Sequence, residues 1–307
     1  MPTAFISHRD CTLHDMGRDH PESPERLHAI RSELITSGLI GHLVEYEAPL
    51  AQREQLLRVH DAEYLDAIEA AAPAVGTVHL DPDTVMNPHS YTAALRAAGA
   101  AVLATDLVIA GTASTAFCSV RPPGHHAERT HAMGFCIFNN VAVAAAHALD
   151  VYGIERVAIA DFDVHHGNGT EDIFRDDPRV MMVSTFQHPF YPYSGVEGRS
   201  ERMVNLPLRA HSDGQVFRNT VEAHWLPALH DFRPQVLFIS AGFDAHRDDE
   251  LATLALTDAD YIWVTEQLRN VAAQHAEGRI ISTLEGGYHL AALGRCVAAH
   301  IKCLAGV

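Results

Sequence analysis

Short apolar, β-branched runs alternate along the chain with longer stretches of helical periodicity. Eight runs predict strands: Thr3–Ile6, Leu43–Tyr46, Thr115–Ser119, Val157–Phe162, Val180–Thr185, Met203–Leu206, Val236–Ser240 and Ile280–Leu284. Several of them (VAIA, VLFIS, IISTL) are apolar at successive positions, as expected of parallel strands covered on both faces. Between them, Ser90–Ala110 and Asn140–Tyr152 read as helices stopped by Gly111 and Gly153. Thr257 reads as the N-cap of a helix running to about Ala276. This alternation predicts an α/β fold around a mostly parallel sheet. No repeat, low-complexity tract or long linker interrupts it, so residues 1–307 are expected to form one domain.

In such sheets, ligands bind outside the carboxyl ends of the strands. Four polar clusters fall there. RPPGHH (121–126) follows the third predicted strand, DFDVHHGNG (161–169) the fourth, AGFDAHRDD (241–249) the seventh and EGGYH (285–289) the eighth. Four clusters on four strand ends can converge on one site.

Composition narrows the reading. With 47% hydrophobic and 20% charged residues, the chain can bury a large core. A formal net charge of −17 repels phosphate and argues against nucleic acid as a direct partner. The 22 histidines equal Lys and Arg together, so no histidine is informative by identity alone. Five scattered cysteines without a CxxC pair predict reduced thiols, a cytoplasmic setting and no cysteine-built zinc site. The opening MPTAFISHRDC has no apolar signal core, and no apolar run is expected to span a membrane.

Within DFDVHHGNGT, Asp163 and His165 are two apart, which puts both on one side of an extended backbone together with Asp161. Asp244 is a candidate third ligand from a neighbouring strand. Two carboxylates and one imidazole with open positions suit a catalytic Zn2+ site, with other divalent ions left open. His166 should face the other way, as a packing or supporting group. His125 and His126, on a loop stiffened by Pro and Gly, suit acid–base work near neutral pH. Asp161 and Asn168 are the candidate acceptors for their second nitrogens. Tyr288, after two glycines, can donate to a developing oxyanion. Together these parts predict metal-assisted hydrolysis of an amide.

RPPGHHA, GFCIFNN, DFDVHHGNGT, SAGFDAHRDD and LEGGYH, in this order, closely resemble the histone deacetylase family, and the resemblance runs from HPESPERL (20–27) to Tyr288. It implies the arginase–deacetylase fold, a single α/β domain around an eight-stranded parallel sheet flanked by helices, and zinc-dependent removal of acetyl groups. It implies Asp163, His165 and Asp244 as ligands of one Zn2+, His126 as general base beside His125, and Tyr288 at the acetyl carbonyl. A structural K+ is implied at Asp161, Asp163 and Ser184, with main-chain oxygens of His165 and Thr185. Asn168, with GFDAHRDD and EGGY, resembles the class II-like branch and its bacterial amidohydrolase relatives. The tunnel for the acyl-lysine stem would be walled by Gly134, Phe135 and Tyr191, with Leu251 at its mouth. A polyamine-selective relative carries glutamate at the position of Leu251, and the neighbouring Asp248, Asp249 and Glu250 read as solvated surface.

A binuclear manganese ureohydrolase needs further ligands four residues after Asp163 and two after Asp244. Gly167 and His246 stand there, which favours one metal. A non-catalytic acyl binder would have lost the tyrosine or a histidine, and both are present. The expected substrate is acetyl-lysine in proteins or peptides, with an acetylated polyamine or another small acetylamine as the alternative. The loop at His20–Arg26 can shape the tunnel rim alone or with a second subunit, so a homo-oligomer stays open.

Overall fold

The computed structural model describes residues 2–197 and 200–307. All eight expected strands form: β1 Thr3–Ser7, β2 Leu43–Glu47, β3 Thr115–Cys118, β4 Val157–Asp161, β5 Val180–Gln187, β6 Met203–Leu208, β7 Val236–Ala241 and β8 Ile280–Leu284. They make one eight-stranded sheet in the order β2-β1-β3-β8-β7-β4-β5-β6. Every pairing in it is parallel. The chain is therefore a single α/β domain in which all strands end on the same side.

β4, β7 and β8 are buried at every position, which explains their unbroken apolar runs. The edge strand β2 instead exposes Val44, Glu45 and Glu47, and its charges discourage pairing with another edge. Beyond the sheet, Val78–His79 and Val85–Met86 form a short antiparallel hairpin that the hydrophobic pattern does not show.

Two groups of helices flank the sheet. α1 (Glu25–Thr36) packs with the C-terminal helix, which packs in turn with the helix before it, while α2 (Ser90–Ile109) packs with α3 (Asn140–Tyr152) and against β1, β3 and β8. Buried Ala93, Ala94, Ala97, Ala98, Ala100 and Ala101 let α2 approach its neighbours closely. By length and composition alone α2 is apolar enough to cross a membrane, but most of it is buried inside the fold. Gly153 at φ 65° ends α3, as its sequence suggests. α4 (Asn168–Phe174) starts just beyond β4, and α5 (Asp258–His275) opens with a capping box between Thr257 and Asp260. α6 (Leu290–Ala305) closes the chain.

Candidate active site at the carboxyl ends of the central strands

β3, β8, β7 and β4 are consecutive neighbours in the centre of the sheet, and the four polar clusters leave their carboxyl ends. Ligand atoms of Asp163, His165 and Asp244 all lie within 4.8 Å of one another. His165 Nδ1 stands 3.0 Å from Asp163 Oδ1 and 3.3 Å from Asp244 Oδ2. The second oxygens are held by backbone: Gly286 N donates to Asp163 Oδ2 at 2.8 Å, and Val164 N donates to Asp244 Oδ1 at 2.9 Å. Asp244 Oδ2 is buried without a hydrogen-bond partner. A Cβ on Gly286 would lie 2.0 Å from Asp244 Oδ2 and 2.6 Å from Asp163 Oδ2, so only glycine leaves this space open. Burial opposes a charge on His165, yet the neighbouring carboxylates of Asp163 and Asp244 raise its pKa to about 10. The point where these atoms meet favours positive charge. A donor set of one imidazole nitrogen and two carboxylates fits a single zinc ion with open positions.

Beside it, the rings of His125 and His126 lie 4.1 Å apart. His125 Nδ1 bonds Asp161 Oδ2 at 2.9 Å, whereas His126 Nδ1 bonds Asn168 Oδ1 at 2.8 Å. Burial disfavours the cation at both. At His125 this is overcome by Asp163 and Asp161, which hold its pKa well above the ordinary value. At His126, burial together with His125 and His165 pushes the pKa well below it. Two adjacent imidazoles are thus driven toward opposite charge states. His166 turns away, with Nδ1 on Ser194 Oγ at 2.9 Å and Nε2 2.8 Å from Glu171 Oε2. Ser184 lies opposite Asp161 in the β4–β5 register, and its buried hydroxyl has no hydrogen-bond partner. Thr185 follows it on β5 and is also buried.

Tyr288 sits on a turn fixed from below. The guanidinium of buried Arg26 lies 5.0 Å from the Tyr288 ring centroid. Its Nε donates to Gly287 O at 2.7 Å, and a second nitrogen donates to Glu285 O. Glu22 pairs with both Arg26 and Arg121, and His20 of the same segment meets Phe135 of the cavity wall edge-on, with ring centroids 4.8 Å apart. The Glu285 carboxylate in turn accepts from Gly124 N and His125 N at 2.7 and 3.1 Å. Burial, reinforced by Asp244, pushes the Tyr288 phenol well above its usual pKa, which keeps it a proton donor.

A cavity of about 190 Å³ leads inward to His126, His165 and Tyr288. Gly134, Phe135, Tyr191 and Leu251 line it, as does Phe190, which sequence reasoning misses. Phe190 stacks on His165 with ring centroids 5.5 Å apart, and Tyr191 meets His126 edge-on at 5.4 Å. Phe190 therefore joins the expected Phe135 and Tyr191 as an aromatic wall of the cavity. Gly134 (φ 58°) and Phe135 (φ 68°) form a left-handed turn, and a Cβ on Gly134 would collide with the His126 ring. Asp83 and Thr84 brace that turn by accepting from Gly134 N and Phe135 N, both at 3.0 Å. Asp249 is not solvated surface. It is buried and accepts the backbone N–H groups of Tyr288 and His289. His246 bonds Asp258 at 2.9 Å instead of joining the ligand cluster.

Two buried imidazoles driven toward opposite charge states, a cluster of potential metal ligands and a phenol thus gather around the inner end of a narrow cavity. The sequence model of the histone deacetylase domain matches residues 20–304. A histone deacetylase-like amidohydrolase of Pseudomonas aeruginosa is 41% identical over 94% of this chain and 77% of its own length. A polyamine deacetylase of Mus musculus, HDAC10, is 35% identical over the whole of this chain and 48% of its own length. The crystal structure of the HDA15 HD domain superposes with a TM-score of 0.93 at 34% identity, covering 99% of this chain and 88% of the other. The chain belongs to the histone deacetylase family.

Proposed function

We propose that the protein is a zinc-dependent deacetylase that hydrolyses the amide of acetyl-lysine side chains in proteins or peptides. The observation that supports this best is the tunnel. It is slender, aromatic-walled and ends at His126, His165 and Tyr288, which suits an unbranched methylene chain carrying an amide at its tip.

Asp163, His165 and Asp244 would hold one Zn2+, which when bound supplies Lewis-acid polarisation of the carbonyl and of the attacking water. Asp161, Asp163 and Ser184, with main-chain oxygens of His165 and Thr185, would hold a K+. The orphaned Ser184 hydroxyl supports that reading. His126 takes a proton from the attacking water at Nε2 and returns it to the nitrogen of the departing amine as the C–N bond breaks. His125, held by Asp161, carries positive charge beside the developing negative charge. The Tyr288 hydroxyl donates to the carbonyl oxygen. The products are acetate and the free amine. Residues 1–307 act in this reading as one catalytic domain.

A small acetylated polyamine is the second reading. Asp83 places a carboxylate in the tunnel lining, which suits a distal ammonium, whereas Leu251 at the mouth supplies no charge. The test compares turnover of an acetyl-lysine peptide with acetylputrescine and acetylspermidine in the presence of zinc. The peptide is expected to have the higher kcat/KM, and Tyr288→Phe to abolish most of it. No zinc-dependent turnover of any of the three would overturn the proposal.

A further inference from the structure

Asn168 bridges His126 and a residue outside the tunnel. Its Oδ1 lies 2.8 Å from His126 Nδ1, while its Nδ2 lies 2.7 Å from Glu128 Oε1 and 3.3 Å from Met133 Sδ. An isolated amide can present either end to an imidazole. Here a carboxylate and a thioether, which only accept, stand on one side. The nitrogen must face them, so the oxygen faces His126. His126 Nδ1 then carries the hydrogen, and Nε2 keeps its lone pair. With the amide reversed, Nδ1 would accept, Nε2 would carry the hydrogen, and the ring could take no proton there.

We infer that Glu128 is a positioning residue that sets the tautomer of His126 by orienting the Asn168 amide. Its catalytic meaning rests on the deacetylase reading above. Glu128 is itself held: its N–H donates to His131 O at 2.9 Å, and its carbonyl accepts from His60 Nδ1 at 3.0 Å. His60 has no choice of tautomer, because its Nε2 accepts from Asn139 N at 3.0 Å. The Glu128 side chain lines a separate polar cavity of about 250 Å³, together with Glu171 and Arg175, and is absent from the tunnel lining. It therefore acts through Asn168 and not on substrate. Met133, a weak acceptor, cannot hold the amide alone.

The geometry can be tested by exchanging donor and acceptor. Asn168→Asp sets two carboxylates against each other. Adding Glu128→Gln restores a donor facing one oxygen of the new carboxylate, and the other oxygen still accepts from His126. Glu128→Leu and Asn168→Asp are each expected to lower kcat about 10- to 100-fold with KM within about twofold, up to the lower end of a full acid–base contribution of about 10²–10⁴ because His126 itself is kept. The double variant E128Q/N168D should recover at least about tenfold over N168D, a coupling that a double-mutant cycle isolates. Circular dichroism and melting temperature confirm that each variant folds. Independently of turnover, 15N NMR of the His126 ring should show hydrogen on Nδ1 in the wild type and E128Q/N168D, and a mixture in Glu128→Leu. Full kcat in Glu128→Leu, no recovery in the double variant, or hydrogen on Nε2 in the wild type overturns the inference. If the wild type turns over no acetylated amine, the deacetylase reading falls, while the NMR result still decides the role of Glu128.

Discussion

The carboxylate of Asp249 accepts a hydrogen bond from the backbone N–H of Tyr288 at 2.6 Å. The same oxygen takes His289 N at 3.0 Å, and the other takes Leu251 N at 3.1 Å. One buried side chain thus ties the tunnel mouth to the turn carrying the phenol. Asp249→Ala is expected to lower kcat by about 10- to 100-fold through displacement of Tyr288, since an error near 1 Å in placement costs that much. Tyr288→Phe, which removes the donor itself, should cost about 10²–10³. Steady-state kinetics of the two variants check this, and wild-type kcat in Asp249→Ala would show that Tyr288 is placed by other contacts.

Zinc removal should abolish turnover and lower the melting temperature. At free zinc about 100 times its Kd, binding adds roughly 2.7 kcal/mol to the folded state. One equivalent of zinc per chain is expected from elemental analysis of reconstituted protein. Two equivalents of manganese per chain would replace this centre with a binuclear one.

Gly286→Ala should separate metal binding from folding. Its new methyl would meet Asp244 Oδ2 at 2.0 Å and Asp163 Oδ2 at 2.6 Å, which forces the two carboxylates apart. Zinc content is expected to fall well below one equivalent while the circular dichroism spectrum stays that of the wild type. A variant that binds zinc as tightly as the wild type would refute this.

Acid should destabilise the fold through two buried histidines outside the ligand cluster. Burial lowers His60 to about 4 and His300 to about 3. Thr265 Oγ1 gives its hydrogen to Tyr261 O, so His300 Nδ1 donates to Thr265 while Nε2 accepts from Ser282 at 2.9 Å. A proton on Nε2 would remove that acceptor. Below about pH 6.5 the unfolded imidazoles bind protons that the folded ones refuse. The stability is full above about pH 6.5 and declines as pH falls toward 4, by about 1.4 kcal/mol per pH unit for each histidine. Urea midpoints at pH 7, 6 and 5 test this, and His300→Gln should remove one histidine's share of the slope.

The strands are legible in the sequence because burial on both faces leaves β4, β7 and β8 no charged position until the chain reaches the site. Their order in the sheet is not, since it depends on helix packing between segments far apart in the chain. The Asp163–His165 pair and the tandem histidines show themselves because their members are sequence neighbours. Asp249 reads as one acid in an acidic run because the groups it serves are backbone N–H groups 39 and 40 residues away, which carry no residue-type signature. Glu128 and Asp83 are hidden for the same reason: each acts on a partner brought near only by folding. Phe190 and Tyr191 are adjacent aromatics, and pattern alone does not tell that both neighbours meet the cavity.

The central placement of β3, β8, β7 and β4 ties the lifetime of the site to that of the whole sheet. Among the described residues, no strand that leads into the proposed ligands, the proposed acid–base histidines or Tyr288 lies at an edge. Fraying of β2 or β6 leaves the chemistry untouched, and only openings close to global unfolding disperse it. Amide hydrogen exchange at β4, β7 and β8 should therefore be the slowest in the molecule. The loops beyond the outer strands are free to diverge in length and charge, so one reaction centre can serve rims of different selectivity.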